Sequence, residues 1–234
     1  MSVGQATRQA QAREVAYSFV KDALLSGHYR PAQHLVENLI AEQLGVSKTP
    51  VREALTRLAQ EGLVDWFPNR GFFVCEYSEQ DVQDIYGLRE IFEAECARFA
   101  AEQSDHAEVA SQLRVENEGA RDALLAGDMS EVHRHLSRFD GIIFERHDNR
   151  LLKKEIEALQ ARIVLSGVVS NRIPGRIERS LEEHGQIIEQ LEAGDAAAAE
   201  AEMRKHIRSL LADEMDYRQE GQALRPWTLD RREP

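Results

Sequence analysis

The sequence has little cysteine, few aromatic residues and no long apolar run, and each shortage excludes a class of protein. Its two cysteines, Cys75 and Cys96, fit no metal-site spacing, so a disulfide scaffold is excluded and a reducing cytoplasm is expected. No apolar run approaches the roughly 18 residues of a membrane span, and the N-terminus lacks an apolar signal core, so no membrane partner is expected. Aromatic residues at 6% and only 6 prolines favour a helical protein.

The acidic excess falls on one part of the chain. The formal net charge is -12, yet residues 1–77 contain equal numbers of acidic and basic residues, so the whole excess lies in residues 78–234. A neutral first part can still present its cations on one face toward nucleic acid. The predicted domains are 1–77, a helical domain over 78–220, and a loose tail over 221–234.

Residues 1–77 predict a winged helix-turn-helix. A helix that begins near Arg8 is followed by short helices over 37–44 and 49–61, separated by a tight turn at Gly45. Ser47 or Thr49 can cap the third helix. Strand-like residues on both sides of a Pro-Asn-Arg-Gly turn then predict a small β-hairpin wing.

The sequence of residues 78–220 predicts an antiparallel all-α bundle of about six helices, which makes the fold mostly α. The breaks fall at glycine, proline and Asp-Asn pairs. The predicted helices lie near 79–102, 106–126, 129–148, 150–169, 176–193 and 195–219.

The third helix carries a polar, cationic face suited to DNA. Thr49, Arg52 and Thr56 share one face at helical spacing, opposite the apolar residues. An arginine here can donate two hydrogen bonds to O6 and N7 of guanine in the major groove. Lys48 and Thr49, at the helix N-terminus, suit a phosphate.

The hairpin tip offers a second contact, because Asn69 and Arg70 can reach a minor groove or the backbone. Two other interpretations stay open at this point. The arginines can simply solvate an exposed face, and winged helices also serve as protein-binding modules.

The run from Leu39 to Leu58, with LGVSKTPVREAL at its centre, resembles the DNA-binding domain of the GntR family of bacterial transcription regulators, as do Glu61-Gly62-Leu63-Val64 and Arg70-Gly71. The resemblance covers about residues 10–75 and implies operator DNA as the partner. Many relatives have arginine in place of Lys48, and lysine lacks the planar fork that a bidentate base contact needs. The positions implied to contact DNA are Asn38, Lys48, Thr49, Arg52, Asn69, Arg70 and Gly71.

Three polar residues of the bundle fall where the periodicity predicts core. Asp140, His184 and His206 each have apolar neighbours one helical turn away, so each should point inward. One carboxylate with two histidines is a ligand set for a divalent metal such as zinc, nickel, iron or manganese. The alternative is that each histidine is an ordinary hydrogen-bonded core residue.

The bundle also resembles the ligand-binding FCD domain of the FadR branch of that family, over about residues 78–215. The matching pieces include Leu88-Arg89-Glu90-Ile91-Phe92-Glu93, Ser180-Leu181-Glu182-Glu183-His184 and Met203-Arg204-Lys205-His206-Ile207. In metal-binding members an aspartate and a histidine one turn apart join two later histidines. Here His184 and His206 match the later pair, but Asp140 stands at the early histidine position and Leu136 at the aspartate position. Either these residues hold a metal that water or effector completes, or the site binds an organic effector directly.

Arg89 and Arg162 are the predicted anchors for a carboxylate effector, since each lies at the edge of an apolar helix face and a guanidinium suits a carboxylate. The alternative for each is an internal ion pair with a residue such as Glu93.

Together these features predict a ligand-responsive transcription regulator that binds a pseudo-palindromic operator as a homodimer. Repression released by a small carboxylate is the expected polarity, and a long acyl-thioester is the variant effector. A metal-dependent enzyme built on the bundle is a rival, although no catalytic motif accompanies the metal set, so the chain is not expected to be an enzyme. An architectural DNA-binding protein without an effector is the second rival.

Overall fold

The computed structural model describes residues 3–165 and 173–219, which form two compact units. The first unit contains residues 3–82 and 160–165, and the second contains 83–159 and 173–219. Residues 160–165, which the sequence places in the predicted bundle domain, group with the first unit in the structure. The predicted tail over 221–234 lies outside the described residues.

The first unit is a winged helix-turn-helix. A hairpin was predicted, and the described strands β1 (His34–Leu35), β2 (Val64–Phe67) and β3 (Gly71–Val74) form an antiparallel sheet in the order β1-β3-β2. In the additional strand β1, His34 pairs with Phe73. A strand of two residues is too short to show alternation in the sequence. The elements are α1 (Val3–Leu25), β1 (His34–Leu35), α2 (Glu37–Leu44), α3 (Lys48–Gln60), β2 (Val64–Phe67) and β3 (Gly71–Val74).

The core of this unit fixes α3 against the other elements. Val51, Leu55 and Leu58 are fully buried on one face of α3, which leaves the opposite face to solvent. Gly45 ends α2 in the left-handed conformation at φ 65°, as its position predicts. Within the described residues the side chain of Ser47, the N-cap of α3, makes no capping hydrogen bond, so that prediction is wrong for Ser47.

In the described part of the chain six helices, α4 to α9, follow, and the prediction of a mostly α fold with a helical bundle is confirmed. Helix α5 packs against α6 and α8, and α8 packs against α9. Because the first residues of α4 and the last turn of α7 belong to the first unit, the second unit holds the rest of these helices. The helices are α4 (Glu79–Glu102), α5 (His106–Ala126), α6 (Met129–Arg146), α7 (Arg150–Leu165), α8 (Arg176–Ala193) and α9 (Ala196–Gln219).

The core of the second unit is apolar with charged residues inside it. Leu113, Phe139 and Leu191 are buried, but Arg176 is also completely buried. Cys96 in this unit and Cys75 in the first are buried free thiols. None of the helices in the described part of the chain has both the length and the apolar character that a membrane crossing requires.

Candidate functional site

Helix α3 and the β2-β3 wing of the first unit border an open groove of about 820 Å³. Arg52 and Thr56 line it from α3, Asn69 and Gly71 from the wing turn, and Glu37 from the start of α2. The structure therefore places five residues around one groove, and four of them were predicted to contact DNA.

Arg52 presents its guanidinium from the exposed face of α3. Its side chain is 69% exposed, and it forms a bidentate ion pair with Glu37. Nε donates to Oε1 at 2.7 Å and Nη2 donates to Oε2 at 3.1 Å. The hydroxyl of Thr56 donates to the carbonyl of Arg52 at 2.8 Å, so Thr56 offers mainly its methyl group and oxygen lone pairs to a partner. Helix geometry alone did not reveal the pairing with Glu37, because that residue lies on another helix.

The remaining predicted contacts on α2 and α3 are at the surface. Lys48 and Thr49 are exposed in the first turn of α3, where backbone N–H groups point toward solvent. Asn38 is exposed near the start of α2. These positions leave all three side chains accessible to a phosphate backbone.

The wing turn holds Arg70 between aromatic rings. Asn69 and Gly71 have positive φ values of 62° and 91°, a conformation that asparagine and glycine tolerate. The Arg70 guanidinium lies 5.6 Å from the ring centroid of Phe67 and 5.5 Å from that of Phe73. Cation–π attraction at these distances supports the arginine at the hairpin tip.

Trp66 is a residue of the groove that the sequence analysis missed. It lies on β2 opposite Phe72, and 58% of its surface is exposed. An aromatic residue in a strand is usually interpreted as core, and only its position near the end of a short strand signals otherwise.

In the second unit, Arg89 and Glu93 form a buried ion pair one turn apart on α4. Nε of Arg89 donates to Oε1 of Glu93 at 2.6 Å, and Nη2 donates to Oε2 at 3.3 Å. Burial alone would lower the pKa of Arg89, but the carboxylate of Glu93 raises it overall, so the guanidinium stays charged. The internal ion pair, which was the alternative for Arg89, is what the structure contains.

Asp140 on α6 lies in the electrostatic field of this pair. Burial is the main cause that raises the pKa of Asp140, the charge of Glu93 raises it further, and Arg89 opposes both. The protonation of Asp140 therefore depends on the charges of the α4 pair.

His184 on α8 stacks on Phe139 and meets His206 of α9. The His184 and Phe139 ring centroids are 3.9 Å apart with the planes at 7°, and the His206 centroid is 4.8 Å away. Nδ1 of His184 is buried and has no hydrogen-bond partner in the described part of the chain. Burial, His206 and Arg176 together lower the pKa of His184 well below its usual value, so the ring is neutral at pH 7. We use the name bundle cluster for Arg89, Glu93, Asp140, His184 and His206, which lie on four helices of this unit.

The predicted metal set does not fit this arrangement. Among residues 3–165 and 173–219, no group of three or more His, Cys, Asp or Glu side chains is placed to hold a metal ion. Nδ1 of His206 instead bonds Oε2 of Glu183 at 2.6 Å. The structure brings His184 and His206 together and leaves the predicted set of Asp140, His184 and His206 incomplete.

Arg176 is a second residue that the sequence analysis missed. Its fully buried guanidinium pairs with Glu183 and donates to Asp213 at 2.6 Å. Ser180 and Ser209 accept at 3.2 and 2.8 Å. The spacing 176, 180 and 184 along the inward face of α8 was the available signal.

Arg162 is not an effector anchor of the bundle, which corrects its prediction. It belongs to the first unit, where Nε donates to the carbonyl of Glu61 at 3.1 Å. Its guanidinium packs where Gly62, at φ 75°, has no side chain. The apolar spacing around Arg162 was correct, but that stretch of α7 contributes to the winged core through Ala161 and Leu165.

Comparison with known proteins gives matches over most of the chain. Residues 12–74 match the family described as "Bacterial regulatory proteins, gntR family", and residues 84–209 match the FCD domain. An HTH-type transcriptional regulator of Streptomyces ambofaciens is 31% identical over 209 residues, which cover 86% of this chain and 84% of that protein. The probable D-xylose utilization operon transcriptional repressor of Paenarthrobacter nicotinovorans is 28% identical over 206 residues, 88% of this chain and 89% of the relative.

Solved structures show the same fold. The E. coli McbR/YncC structure has a TM-score of 0.71 at 23% identity, covering 88% of this chain and 98% of that one. A GntR transcriptional regulator from Rhodococcus sp. RHA1 has a TM-score of 0.69 at 21% identity, covering 88% and 98%. The chain therefore belongs to the gntR family of bacterial regulatory proteins, in the FadR-type branch that carries an FCD domain, and it is a transcription regulator rather than an enzyme.

Proposed function

We propose that this regulator is a cytoplasmic repressor that binds operator DNA as a homodimer and is released by a small carboxylate metabolite bound directly in the helical unit. The observation that carries the effector part is Nδ1 of His184, a buried ring nitrogen without a hydrogen-bond partner among the described residues. A buried polar atom left unpaired costs about 1–3 kcal/mol, and a bound ligand removes that cost.

The DNA part of the proposal rests on the groove between α3 and the wing. Arg52 reads a guanine, while Lys48, Thr49 and Asn38 contact phosphates at the start of the two helices. Arg70, supported on its aromatic rings, reaches the neighbouring minor groove or backbone.

The effector part follows from the donors of the bundle cluster. The two bonds from Arg89 to Glu93 use Nε and Nη2, so Nη1 is not engaged by Glu93. A neutral imidazole has one N–H group, and Nδ1 of His184 can carry it in the tautomer that donates to a carboxylate. A guanidinium and an imidazole N–H together favour an anionic ligand with two oxygen acceptors. Because the metal set does not fit, the effector is bound here without a metal.

The proposal also states that the regulator represses transcription and that it binds as a dimer. The name of the Paenarthrobacter relative describes a repressor, which supports this polarity. A helix-turn-helix that reads one half-site gains affinity when two copies bind a pseudo-palindrome. The effector then changes DNA affinity through a coupling of about 1–3 kcal/mol between the two sites.

The DNA part is tested by selection. The wild-type chain is used to enrich binding sites from a library of random duplexes, and the enriched sequence, here named the selected duplex, should contain two related half-sites. Binding of two chains per selected duplex, measured by analytical ultracentrifugation, supports the dimer. Enrichment of no sequence would contradict the DNA part.

The effector part is tested by thermal shift against mono- and dicarboxylates, sugar acids and acyl-thioesters. A ligand at a hundred times its Kd stabilises by about 2.7 kcal/mol, and the same ligand should weaken binding to the selected duplex. His184→Gln should remove both effects. The control is His133→Gln, at an exposed position of α6, which should keep both. A screen in which no compound changes melting or DNA affinity supports an architectural protein instead, and a response only to acyl-thioesters contradicts the small-carboxylate part.

A further inference from the structure

Glu37, the first residue of α2, holds the guanidinium of Arg52 on α3 across the turn between the two helices. The pair is bidentate, with Nε to Oε1 at 2.7 Å and Nη2 to Oε2 at 3.1 Å. The Glu37 side chain is 20% exposed and that of Arg52 is 69% exposed, so the carboxylate is the more enclosed member of the pair. Nothing in the DNA part of the proposed function requires a carboxylate at this place.

The pairing uses only one edge of the guanidinium. Arginine has five N–H groups, and the bonds to Glu37 take the Nε hydrogen and one Nη2 hydrogen. The edge formed by Nη1 and the second Nη2 hydrogen remains available for two parallel hydrogen bonds to O6 and N7 of guanine. Glu37 therefore fixes the direction of the base-reading edge without occupying it, and fewer rotamers of Arg52 remain to be ordered on binding.

The charge of Glu37 acts on all DNA alike. Its carboxylate adds negative charge beside the surface that faces the phosphate backbone, which weakens binding to every sequence. A guanine at the right position offsets this cost through the oriented arginine, and a wrong base does not.

We propose that Glu37 is a specificity-determining residue, which orients Arg52 toward guanine and lowers sequence-independent affinity. This inference rests on the proposed DNA-reading role of α3. Glu37 thereby increases the ratio of the affinity for specific DNA to the affinity for non-specific DNA.

The test compares Glu37→Gln with a matched control, Glu53→Gln. Glu53 is on α3 next to Arg52 in the chain, its side chain is 42% exposed, and its ion pair is with Arg13 at 3.9 Å. Both variants remove one negative charge from the same domain, but only Glu37→Gln loses the charged bidentate contact. Affinities are measured for the selected duplex and for a mixed-sequence duplex at the same salt concentration. We expect Glu37→Gln to lower the ratio of the two affinities by about tenfold and Glu53→Gln to leave it unchanged.

A second variant separates the two roles of Glu37. Glu37→Asp keeps the charge and shortens the side chain, so it should lower affinity for the selected duplex without raising affinity for the mixed-sequence duplex. Melting curves of all variants check the fold. Equal affinity ratios for wild type, Glu37→Gln and Glu53→Gln would overturn the inference while leaving DNA reading intact. Failure of the wild type to enrich any duplex would instead contradict the proposed function and the inference with it.

Discussion

The two units of the chain use arginine in opposite ways. Arg52 in the winged unit is 69% exposed and is held by one carboxylate. Arg176 in the helical unit is completely buried and is shared between Glu183 and Asp213. Both guanidinium groups are paired, but only the first has an edge that a macromolecule can reach.

The exposed charge of Arg52 can therefore bind a partner, whereas the buried charge of Arg176 stabilises the fold. An exposed ion pair contributes about 0–1 kcal/mol to stability, so Arg52 is free to serve a partner at little cost. Removing one member of a buried pair leaves an uncompensated charge, which costs several kcal/mol. Substitutions in the two units should therefore affect different properties, DNA affinity in one and stability in the other.

The largest expected effect is on Arg176. Arg176→Met leaves the carboxylates of Glu183 and Asp213 without their buried cation, and we expect a loss of about 3–5 kcal/mol in the free energy of unfolding. Denaturant titration followed by circular dichroism measures it. The matched control is Arg179→Met, because Arg179 also pairs with Asp213 but is 49% exposed, and its loss should stay within about 1 kcal/mol. Similar losses in the two variants would break the distinction between buried and exposed charge.

The next largest expected effect is a loss of DNA affinity when Arg52 is replaced. Arg52→Ala should weaken binding to the selected duplex by about 1–3 kcal/mol and change the free energy of unfolding little, since its ion pair is exposed. Fluorescence anisotropy measures the affinity. Arg57→Ala, on another face of α3 where the guanidinium lies 3.7 Å from the Tyr17 ring centroid, serves as the control for loss of charge. If Arg57→Ala weakens DNA binding as much as Arg52→Ala, α3 attracts DNA by charge alone.

The buried carboxylate of Glu214 on α9 should make the free energy of unfolding depend on pH. Burial raises the pKa of Glu214, and Arg218 only partly opposes this, so the folded state binds a proton more tightly than the unfolded state. Stability from this group is present at low pH and is lost as pH rises through its folded pKa. The stability of Glu214→Gln relative to wild type should therefore rise as the pH is raised above the ordinary carboxyl range.

The control for that pH series is Glu90→Gln, whose stability relative to wild type should change in the opposite direction. Hydrogen bonds from Arg208 are the main cause that lowers the pKa of Glu90 on α4, so Glu90→Gln should lose stability relative to wild type as pH rises through the acidic range below the ordinary carboxyl pKa. Urea titrations at each pH measure both differences. Parallel curves for the two variants would show that burial does not control the titration of Glu214.

The smallest expected effect compares two helix N-caps. The carboxylate of Asp128 accepts the N–H of Glu131 at 3.1 Å at the start of α6, so Asp128→Ala should cost about 1 kcal/mol. Ser47→Ala at the start of α3 should cost less than about 0.5 kcal/mol, because its hydroxyl makes no capping bond in the described structure. Thermal melting measures both, and an equal cost would show that Ser47 caps α3 in solution.

The fold was predictable because its signals are local. Helical spacing, a glycine after several of the helices and a turn motif in the wing set the elements of both units, and these depend on residues a few positions apart. Strand β1 was missed because two residues, His34 and Leu35, carry no alternation. Packing of residues 160–165 in the core of the first unit was not predictable, because apolar residues show that a segment is buried but not against which core.

The site was predictable only where one helix or one turn builds it. Arg52 and Thr56 share a face by helix geometry, and Asn69 to Gly71 share a turn, so their grouping followed from the sequence. The partners of Arg52 and of His206 lie 15 and 23 positions away in the chain, and no local spacing indicates such pairs. The metal set failed for this reason, since inward-facing positions on separate helices do not fix the distances between them.

The most direct measurement of the central claim is guanine N7 methylation protection on the selected duplex. We expect wild-type chain to protect a guanine in each half-site, and Arg52→Ala, at a concentration that saturates the duplex, to leave this guanine open to methylation while other protections remain. The same guanines protected by both proteins would contradict the assignment of Arg52 as the residue through which this regulator reads DNA.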